Sequence, residues 1–355
     1  MASFLQWNCR GYFANYEELK RLLVAHQPLA VCLQELQLRD RTLYQPSRYR
    51  EPLLSVNRGA SDRGGAAILL HESVPFTPIP LSTPLHAVAA RIHLDIPLTL
   101  CSVYLAPSCP YTKKDLIDLF RSLPPPMLVL GDFNLRHPLW GDSITSPNAG
   151  LILDILQDFS LGCLNTGLPT FERFDTGTSS CVDISLCSLS TLDRFGWDRS
   201  AFLCGSDHYP IVIPSFGQGP RQQSSFRWQY NRADWSSFYQ ATYFPDLPST
   251  TLFPSPADAF SSFQDTVLSA AADHIPRSSG SRKSITPWWN QDCARADREK
   301  RKLFRAYKQA PIPPNLILFK ASAARARCIY RRARKQYFRN YASTVNSSTP
   351  VSAVH

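Results

Sequence analysis

Polar residues suited to phosphate and cation chemistry sit at the ends of six apolar runs in this chain. Trp7-Asn8 closes the first run, Gln34-Glu35 closes LAVCL, and Tyr104 follows CSV. The stretch MLVLGDFN ends in Gly131, Asp132, Phe133 and Asn134. Asp183 opens DISLCS, and Ser206-Asp207-His208 precedes the apolar run from Ile211 to Ile213. A carboxylate and a carboxamide two residues apart at a strand end point to the same face. Burying a carboxylate there is costly unless hydrogen bonds, a cation or a substrate proton compensate.

The donor set is rich in oxygen: Glu35, Asp132 and Asp207, with the amides of Asn8 and Asn134. Such a set favours a hard cation, Mg²⁺ first and Mn²⁺ as its substitute. The thiolate and paired-histidine spacings that zinc requires are missing. A hard cation beside a phosphate polarises a non-bridging oxygen and stabilises the leaving alkoxide. Hydrolysis also needs a group that orients or deprotonates water, and a donor for the developing charge. Asp132 and Asn134 suit the first role and His208 the second, with Asp183 holding its imidazole in one tautomer. Tyr104 suits a hydrogen bond to the phosphate. Unassisted phosphodiester hydrolysis demands on the order of 20 kcal/mol of transition-state stabilisation, which only a convergent set can supply.

Residues 1–214 read as the alternating strands and helices that would gather these groups. The strands are FLQW, LAVCL, GAAILL, AVAARIHLDI, LTLCSVYLAP, MLVLGDFN, CVDISLCS and YPIVIP. Asn15 with Glu18 resembles a capping box, ahead of a helical stripe of Leu19, Leu22, Leu23 and His26. Val88, Ala90, Ile92 and Leu94 alternate as in a strand with one buried face. Leu116, Leu119, Phe120 and Leu123 define a second helix, which Pro124 to Pro126 break. A third carries Leu151, Ile155, Leu156 and Phe159. Residues 215–227 are expected to be a linker. A helical segment over 228–275 follows, in which strands disappear. Residues 276–355 form a basic helical connector, with long helices over about 291–309 and 314–342 and a disordered tail.

The net charge of +10 is unevenly spread. Residues 277–341 hold 18 Lys or Arg against three acids, a net +15, so the rest of the chain is −5. That excess exceeds what solubility requires and favours nucleic-acid contact. Interleaved Phe304, Tyr307, Phe319, Tyr330, Tyr337 and Phe338 give the basic helices an apolar stripe, expected to dock on a partner domain such as a polymerase. Trp288-Trp289 is expected to anchor the connector. No stretch approaches the roughly 20 apolar residues of a membrane helix, and MASFLQWNCRG lacks the pattern of a secretory signal. Of ten cysteines, Cys9, Cys32, Cys101 and Cys187 sit in or beside apolar runs and no CxxC occurs, as for buried free thiols.

WN, QE, VY, GDFN, VD and SDH in this order resemble the endonuclease/exonuclease/phosphatase superfamily. The extension GDFNLRHPLWG, LNTGLPTF before CVDISLCS, and the downstream PWWNQDC look like the endonuclease domain of non-LTR retrotransposons and the connector that precedes their reverse transcriptase. No FADD-type polymerase motif follows here. The resemblance implies an α+β fold: a four-layer α/β-β/α sandwich of two packed β-sheets flanked by helices, followed by a basic helical extension. It implies that Glu35 and Asn8 bind the cation, with Asp207 as a further ligand. Asp132 would orient or deprotonate water, Asn134 would position water or phosphate, and Tyr104 would contact phosphate. His208 with Asp183 would stabilise the pentacovalent phosphate. His137, Trp140, Arg10, Arg325, Arg331 and Arg332 are the candidate DNA contacts. The product would be a nick with a 3′-hydroxyl that primes reverse transcription. Cys9-Arg10-Gly11 after WN fits the retrotransposon group rather than abasic-site repair. The implied partners are DNA, element RNA and a reverse transcriptase domain, with no nucleotide cofactor and no membrane. The implied location is nuclear, or cytoplasmic before nuclear entry, and not secreted. The rival readings are a phosphoesterase of the same fold acting on lipid or inositol phosphates, and a catalytically silent nucleic-acid-binding remnant.

Overall fold

The computed structural model describes residues 2–38, 43–55, 64–108, 110–174, 176–216, 227–243, 255–278 and 287–344. The chain forms two compact units: Met1–Arg221 together with Ile285–His355, and Gln222–Ser284. The described strands of the first unit are β1 Ala2–Asn8, β2 Ala30–Gln34, β3 Leu53–Leu54, β4 Ala66–Leu70, β5 Phe76–Ile79, β6 His86–His93 and β7 Pro97–Tyr104. They continue with β8 Met127–Asp132, β9 Leu161–Cys163, β10 Phe171–Arg173, β11 Thr178–Ser180, β12 Asp183–Ser188, β13 Asp198–Arg199 and β14 Ile211–Ser215. Helices α1 Tyr12–His26, α2 Lys113–Arg121 and α3 Ala149–Asp158 connect them.

Two six-stranded sheets form, in the orders β13-β14-β1-β2-β4-β3 and β5-β6-β7-β8-β12-β9. Both are mixed: β1–β2 and β7–β8 run parallel and the remaining pairs antiparallel. The sheets pack face to face through Phe4, Cys32, Ile68, Ala90, Leu100 and Leu128. The outer face of the first sheet is closed by α1 through Leu19, Leu22 and Leu23, and that of the second by α2 and α3 through Leu116, Phe120 and Ile152. This is the four-layer sandwich the resemblance implied. Because both faces of the central strands are covered, β6 is not the one-sided strand that its alternation suggested. Val88, Ala90 and Ile92 enter the inter-sheet core, while Ala87 and Ala89 enter the helix-covered one.

The start of α1 also differs from expectation. Its N-cap is Gly11 with no side-chain cap, and Asn15 lies inside the helix, donating from Nδ2 to the Cys9 carbonyl at 2.7 Å. A side-chain cap is unnecessary because the first free N–H groups, of Gly11 and Tyr12, already donate to the carbonyls of Glu35 and Leu36. His26 is exposed rather than part of the buried stripe. The nine described cysteines are all free, and burial pushes the Cys9 thiol up to about 12.

Further along the chain, strands do not disappear. In the second unit β15 Arg227–Trp228 pairs antiparallel with β16 Arg277–Ser278, beside helices α4 Trp235–Ala241 and α5 Pro256–His274. Asp234 caps α4 by accepting from the Ser237 N–H at 3.1 Å. The expected linker over 215–227 and the expected disordered tail fall almost entirely outside the described residues.

Helices α6 Gln291–Gln309 and α7 Pro313–Thr344 belong to the first unit. Part of their apolar stripe is buried within this unit, while Phe338 stays 60% exposed. Phe304, Tyr307 and Phe319 pack with Leu203 and Tyr209 of the sandwich itself. Lys300 pairs with Glu18 at 3.3 Å, and Lys308 with Glu172 at 2.7 Å. The Arg21 guanidinium lies over the Trp289 ring at 3.6 Å, the cation–π stacking that Arg's planar group favours. Periodicity in the sequence showed that the helices had a face to bury, but not which surface would receive it.

Candidate active site

Strand register brings the expected residues to one edge of the sandwich. In the second sheet His86, Tyr104, Asp132 and Asp183 are successive register partners across β6, β7, β8 and β12. In the first sheet Asn8 pairs with Gln34, which places Glu35 beside it at the end of β2. Gly131 permits this row to form. A Cβ there would sit 2.2 Å from the Val103 carbonyl oxygen on β7. Two buried polar links hold the sheets in alignment near the site. Gln6 donates to the Gly131 carbonyl at 3.0 Å, and Gln34 donates to Ser102 Oγ at 2.9 Å.

Asn8 joins the two sheets' acids. Its Nδ2 donates to Glu35 Oε2 at 3.2 Å and to Asp132 Oδ2 at 2.8 Å. Gln37 holds the other Glu35 oxygen at 2.7 Å. Asp132 is 1% exposed, and its Oδ1 accepts the Asn134 backbone N–H at 3.0 Å. The Asn134 side-chain amide donates to the Leu105 carbonyl at 3.0 Å, which fixes the turn after β8. His208 Nδ1 lies 2.8 Å from Asp183 Oδ2, and its Nε2 lies 3.9 Å from Asp132 Oδ2. The imidazole is therefore held by one carboxylate and turned toward the other.

The loop carrying His208 is strapped down. Trp7 Nε1 donates to the His208 carbonyl at 3.2 Å, and Ser206 Oγ donates to the Asn8 carbonyl at 2.8 Å. Gly205 precedes it with φ +89°, and a Cβ there would meet Asn15 Oδ1 at 2.3 Å. Asp207 pairs with Arg10, whose side chain is 55% exposed.

Burial dominates the electrostatics. It raises the Asp132 carboxyl, helped by the Asp183 charge, against His208 and the donors of Asn8 and Asn134. Burial alone would lower His208, but Asp183 above all, then Asp132 and Asp207, raise it well above an ordinary imidazole. Burial, then Glu35, Asp132 and Asp207, raises the Tyr104 hydroxyl, so it stays protonated and able to donate. One ligand atom each from Asp132, Asp183 and His208 fall within 4.8 Å of one another, a spacing that could hold a metal ion. The wider pocket gathers four carboxylates (Glu35, Asp132, Asp183, Asp207) against Arg10 and His208. With Asn8 and Glu35 alongside Asp132 and Asp183, the side chains gathered here are mostly carboxylates and a carboxamide, which fits a hard divalent cation.

Not every expected residue joins this site. Trp140 is fully buried, donates from Nε1 to the Leu135 carbonyl at 3.0 Å, and presents no face to DNA. The Trp in this loop fills the core beneath it, a role that residue type alone does not distinguish from stacking on a base. His137 is half-buried, packs at a tilt against Trp140 with ring centroids 5.1 Å apart, and accepts the Leu139 N–H at 3.0 Å, capping the short turn Pro138–Trp140. Arg331 lines a cavity beside Asp207, whereas Arg325 and Arg332 line a separate depression.

Several positioning residues carried no expectation. Thr170 Oγ1 accepts the backbone N–H groups of Val182 and Asp183, at 3.2 and 3.1 Å. Asn165 donates to the Asp183 carbonyl at 2.9 Å. Both belong to LNTGLPTF, whose hydroxyl and amide were the available signal. Asp142 is buried and takes N–H groups from Arg136, Ile144 and Cys181, tying the loop after β8 to the entry of β12. Behind His208, the buried Glu172 accepts from Tyr209 at 3.2 Å and from Lys308 of α6 at 2.7 Å.

Residues 98–212 match the family described as endonuclease-reverse transcriptase. The RNA-directed DNA polymerase from mobile element jockey of Drosophila melanogaster is 26% identical over 212 residues, covering 58% of this chain and 23% of that protein. A probable RNA-directed DNA polymerase from transposon BS of the same organism is 26% identical over 223 residues, covering 59% of this chain and 24% of that protein. The chain thus spans about a quarter of the length of these relatives. The solved endonuclease domain of TRAS1, a telomere-specific non-LTR retrotransposon, superposes with a TM-score of 0.53 at 24% identity, covering 61% of this chain and all of that one. The two packed sheets and their flanking helices are the architecture that the TRAS1 domain shares. Over residues 98–212 the chain is similar to the endonuclease-reverse transcriptase family, and its sandwich has the fold of a solved non-LTR retrotransposon endonuclease domain.

Proposed function

We propose that this chain is a Mg²⁺-dependent DNA endonuclease that nicks one strand and leaves a 3′-hydroxyl able to prime reverse transcription. The observation that carries this reading is the convergence, at one buried edge, of the Asn8–Glu35–Asp132 network with the Asp183–His208 pair. Glu35, Asn8 and Asp207 would hold the cation, which when bound polarises a phosphate oxygen and stabilises the leaving alkoxide. Asp132, once ionised, accepts a proton from the attacking water, and Asn134 fixes the turn that aims it. His208, kept protonated by Asp183, donates from Nε2 to the phosphate as charge builds on its oxygens. Tyr104 donates its hydroxyl to the same group.

The names of the relatives support element RNA and a reverse transcriptase as partners, and the basic clusters of α6 and α7 support nuclear delivery. Among the described residues no helix is long and apolar enough to cross a membrane. Arg10 and Arg331, both exposed at the cavity beside Asp207, are the cations we assign to nucleic acid.

A substrate panel tests the reading. Supercoiled plasmid and a phosphoinositide are each incubated with Mg²⁺ and with EDTA, and nicked product is offered to a polymerase for extension. Plasmid nicking with Mg²⁺, none with EDTA and extendable ends are expected. Turnover of the phosphoinositide without nicking would replace the proposal with the lipid-phosphate reading.

A further inference from the structure

A cavity of about 590 Å³ lies between α7, α1 and the loop that carries Asp207. Its floor is apolar and aromatic, built from Phe13, Leu203, Phe174, Trp288, Phe319 and Tyr330. Its α7 wall carries Lys320, Arg327, Arg331 and Arg334, and Arg10 stands where the cavity meets Asp207. The acids on the α1 side, Glu17 and Glu18, are already committed: Glu17 to Lys20 and Arg334, Glu18 to Arg21 and Lys300. Lys320, Arg327 and Arg331 are exposed and have no carboxylate within ion-pair distance among the described residues. At 1.5 Å rise per residue they extend along about 16 Å of one helix face.

We infer that this cavity binds an unpaired nucleic-acid strand leading out of the catalytic pocket, with α7 supplying the phosphate contacts. Cations without partners recruit a polyanion, and the partly exposed rings of Phe13 and Phe174 accept base faces without regard to sequence. Concavity selects the form of the nucleic acid. A base stacked and paired in a duplex cannot turn its face to the recessed rings, whereas one freed of its partner can. Charge complementarity is continuous with the active site, because Arg10 borders both the cavity and Asp207. This assignment deepens the nuclease reading and rests on it for direction. It makes α7 part of the substrate site rather than a passive spacer.

The test uses the full chain in EDTA, so that no cleavage is required. Anisotropy reports binding of a fluorescein-labelled oligothymidylate and of a blunt duplex of equal length across a salt series. In Arg327→Gln/Arg331→Gln, single-strand affinity should fall roughly tenfold. The slope of log affinity against log salt should flatten by about 1.4, at about 0.7 per lost phosphate contact. Duplex affinity should change less. Arg327→Lys/Arg331→Lys should keep most of the affinity, and Lys320→Gln provides an independent variant if the Gln pair melts early. Unchanged single-strand affinity and slope, or equal losses on strand and duplex, would overturn the inference. Plasmid nicking is scored separately. Binding without nicking counts against the nuclease reading alone, and nicking without single-strand binding counts against the cavity alone.

Discussion

Asp132 and Asp183 are register partners across the antiparallel β8–β12 pair, and His208 lies 2.8 Å from one and 3.9 Å from the other. Two buried carboxylates side by side would repel. The imidazole between them turns that repulsion into a division of labour, since it is anchored by Asp183 and faces Asp132 with its second nitrogen. Asp183→Asn keeps the shape of this arrangement and removes the charge that holds the imidazole protonated. Its single-turnover nicking rate should fall about 10²-fold or more, the scale of a positioned acid or base. The melting midpoint should stay close to that of the parent. A rate within a few fold of the parent would show that His208 does not depend on Asp183.

The same relationship fixes a pH dependence. Asp132 must be ionised to accept a proton, and burial has raised it, so activity should rise with pH through a range above that of ordinary carboxylates. His208 must be protonated to donate, and its pKa is raised, so activity should fall only on the alkaline side. In Asp183→Asn the alkaline limb should move to lower pH, because the leading upward influence is gone. A pH–rate profile of kcat/KM for parent and variant checks this. An alkaline limb that does not move would contradict the assignment.

Gly131 tests the strand row itself. In Gly131→Ala the new methyl meets the Val103 carbonyl oxygen at 2.2 Å, and backbone cannot give way as a flexible side chain would. Overpacking of this kind costs about 1–3 kcal/mol. Urea unfolding should show that loss, and nicking should fall with it as β7 and β8 are forced apart. Parent-like stability would mean that the close approach is not real.

The docking of α6 makes a prediction about acid stability. Asp297 is only 12% exposed at its side chain, faces Lys300, Arg301 and Arg21, and accepts the Tyr330 hydroxyl at 3.0 Å. Burial would raise its carboxyl, but those three cations lower it on balance. A folded-state pKa below the unfolded one contributes stability that is fully present above the unfolded value, about 3.9, and is lost as pH falls through the folded value. Asp297→Asn should therefore destabilise the protein at pH 7 by about 1.5–3 kcal/mol, and the difference should shrink on acidification below pH about 4. A gap between parent and variant that widens as pH falls would refute the sign.

How much of this could be foreseen depends on the kind of information a strand or a helix carries. Asn8, Glu35, Tyr104, Asp132 and Asp183 were legible because polar groups capping buried strands have few other uses, and register alone brought them together. Trp140 was not legible, since a core tryptophan and a base-stacking one look alike in sequence. Asn15 resembled a cap because nothing in the sequence showed that the carbonyls of Glu35 and Leu36 already serve the first N–H groups of α1. The stripe of Phe304, Tyr307 and Phe319 announced a buried face, but its receiver, Leu203 with Tyr209, is set by tertiary packing. The Lys308–Glu172–Tyr209 chain behind His208 joins residues 136 positions apart, beyond any local pattern.

The most direct test of the central claim, that groups from distant strands act together on one phosphodiester, is the rate of plasmid nicking in Mg²⁺ by the parent, Asp132→Ala and His208→Ala. Both variants should fold and both should fall to the background rate. Nicking by either at the parent's rate would contradict the assigned site.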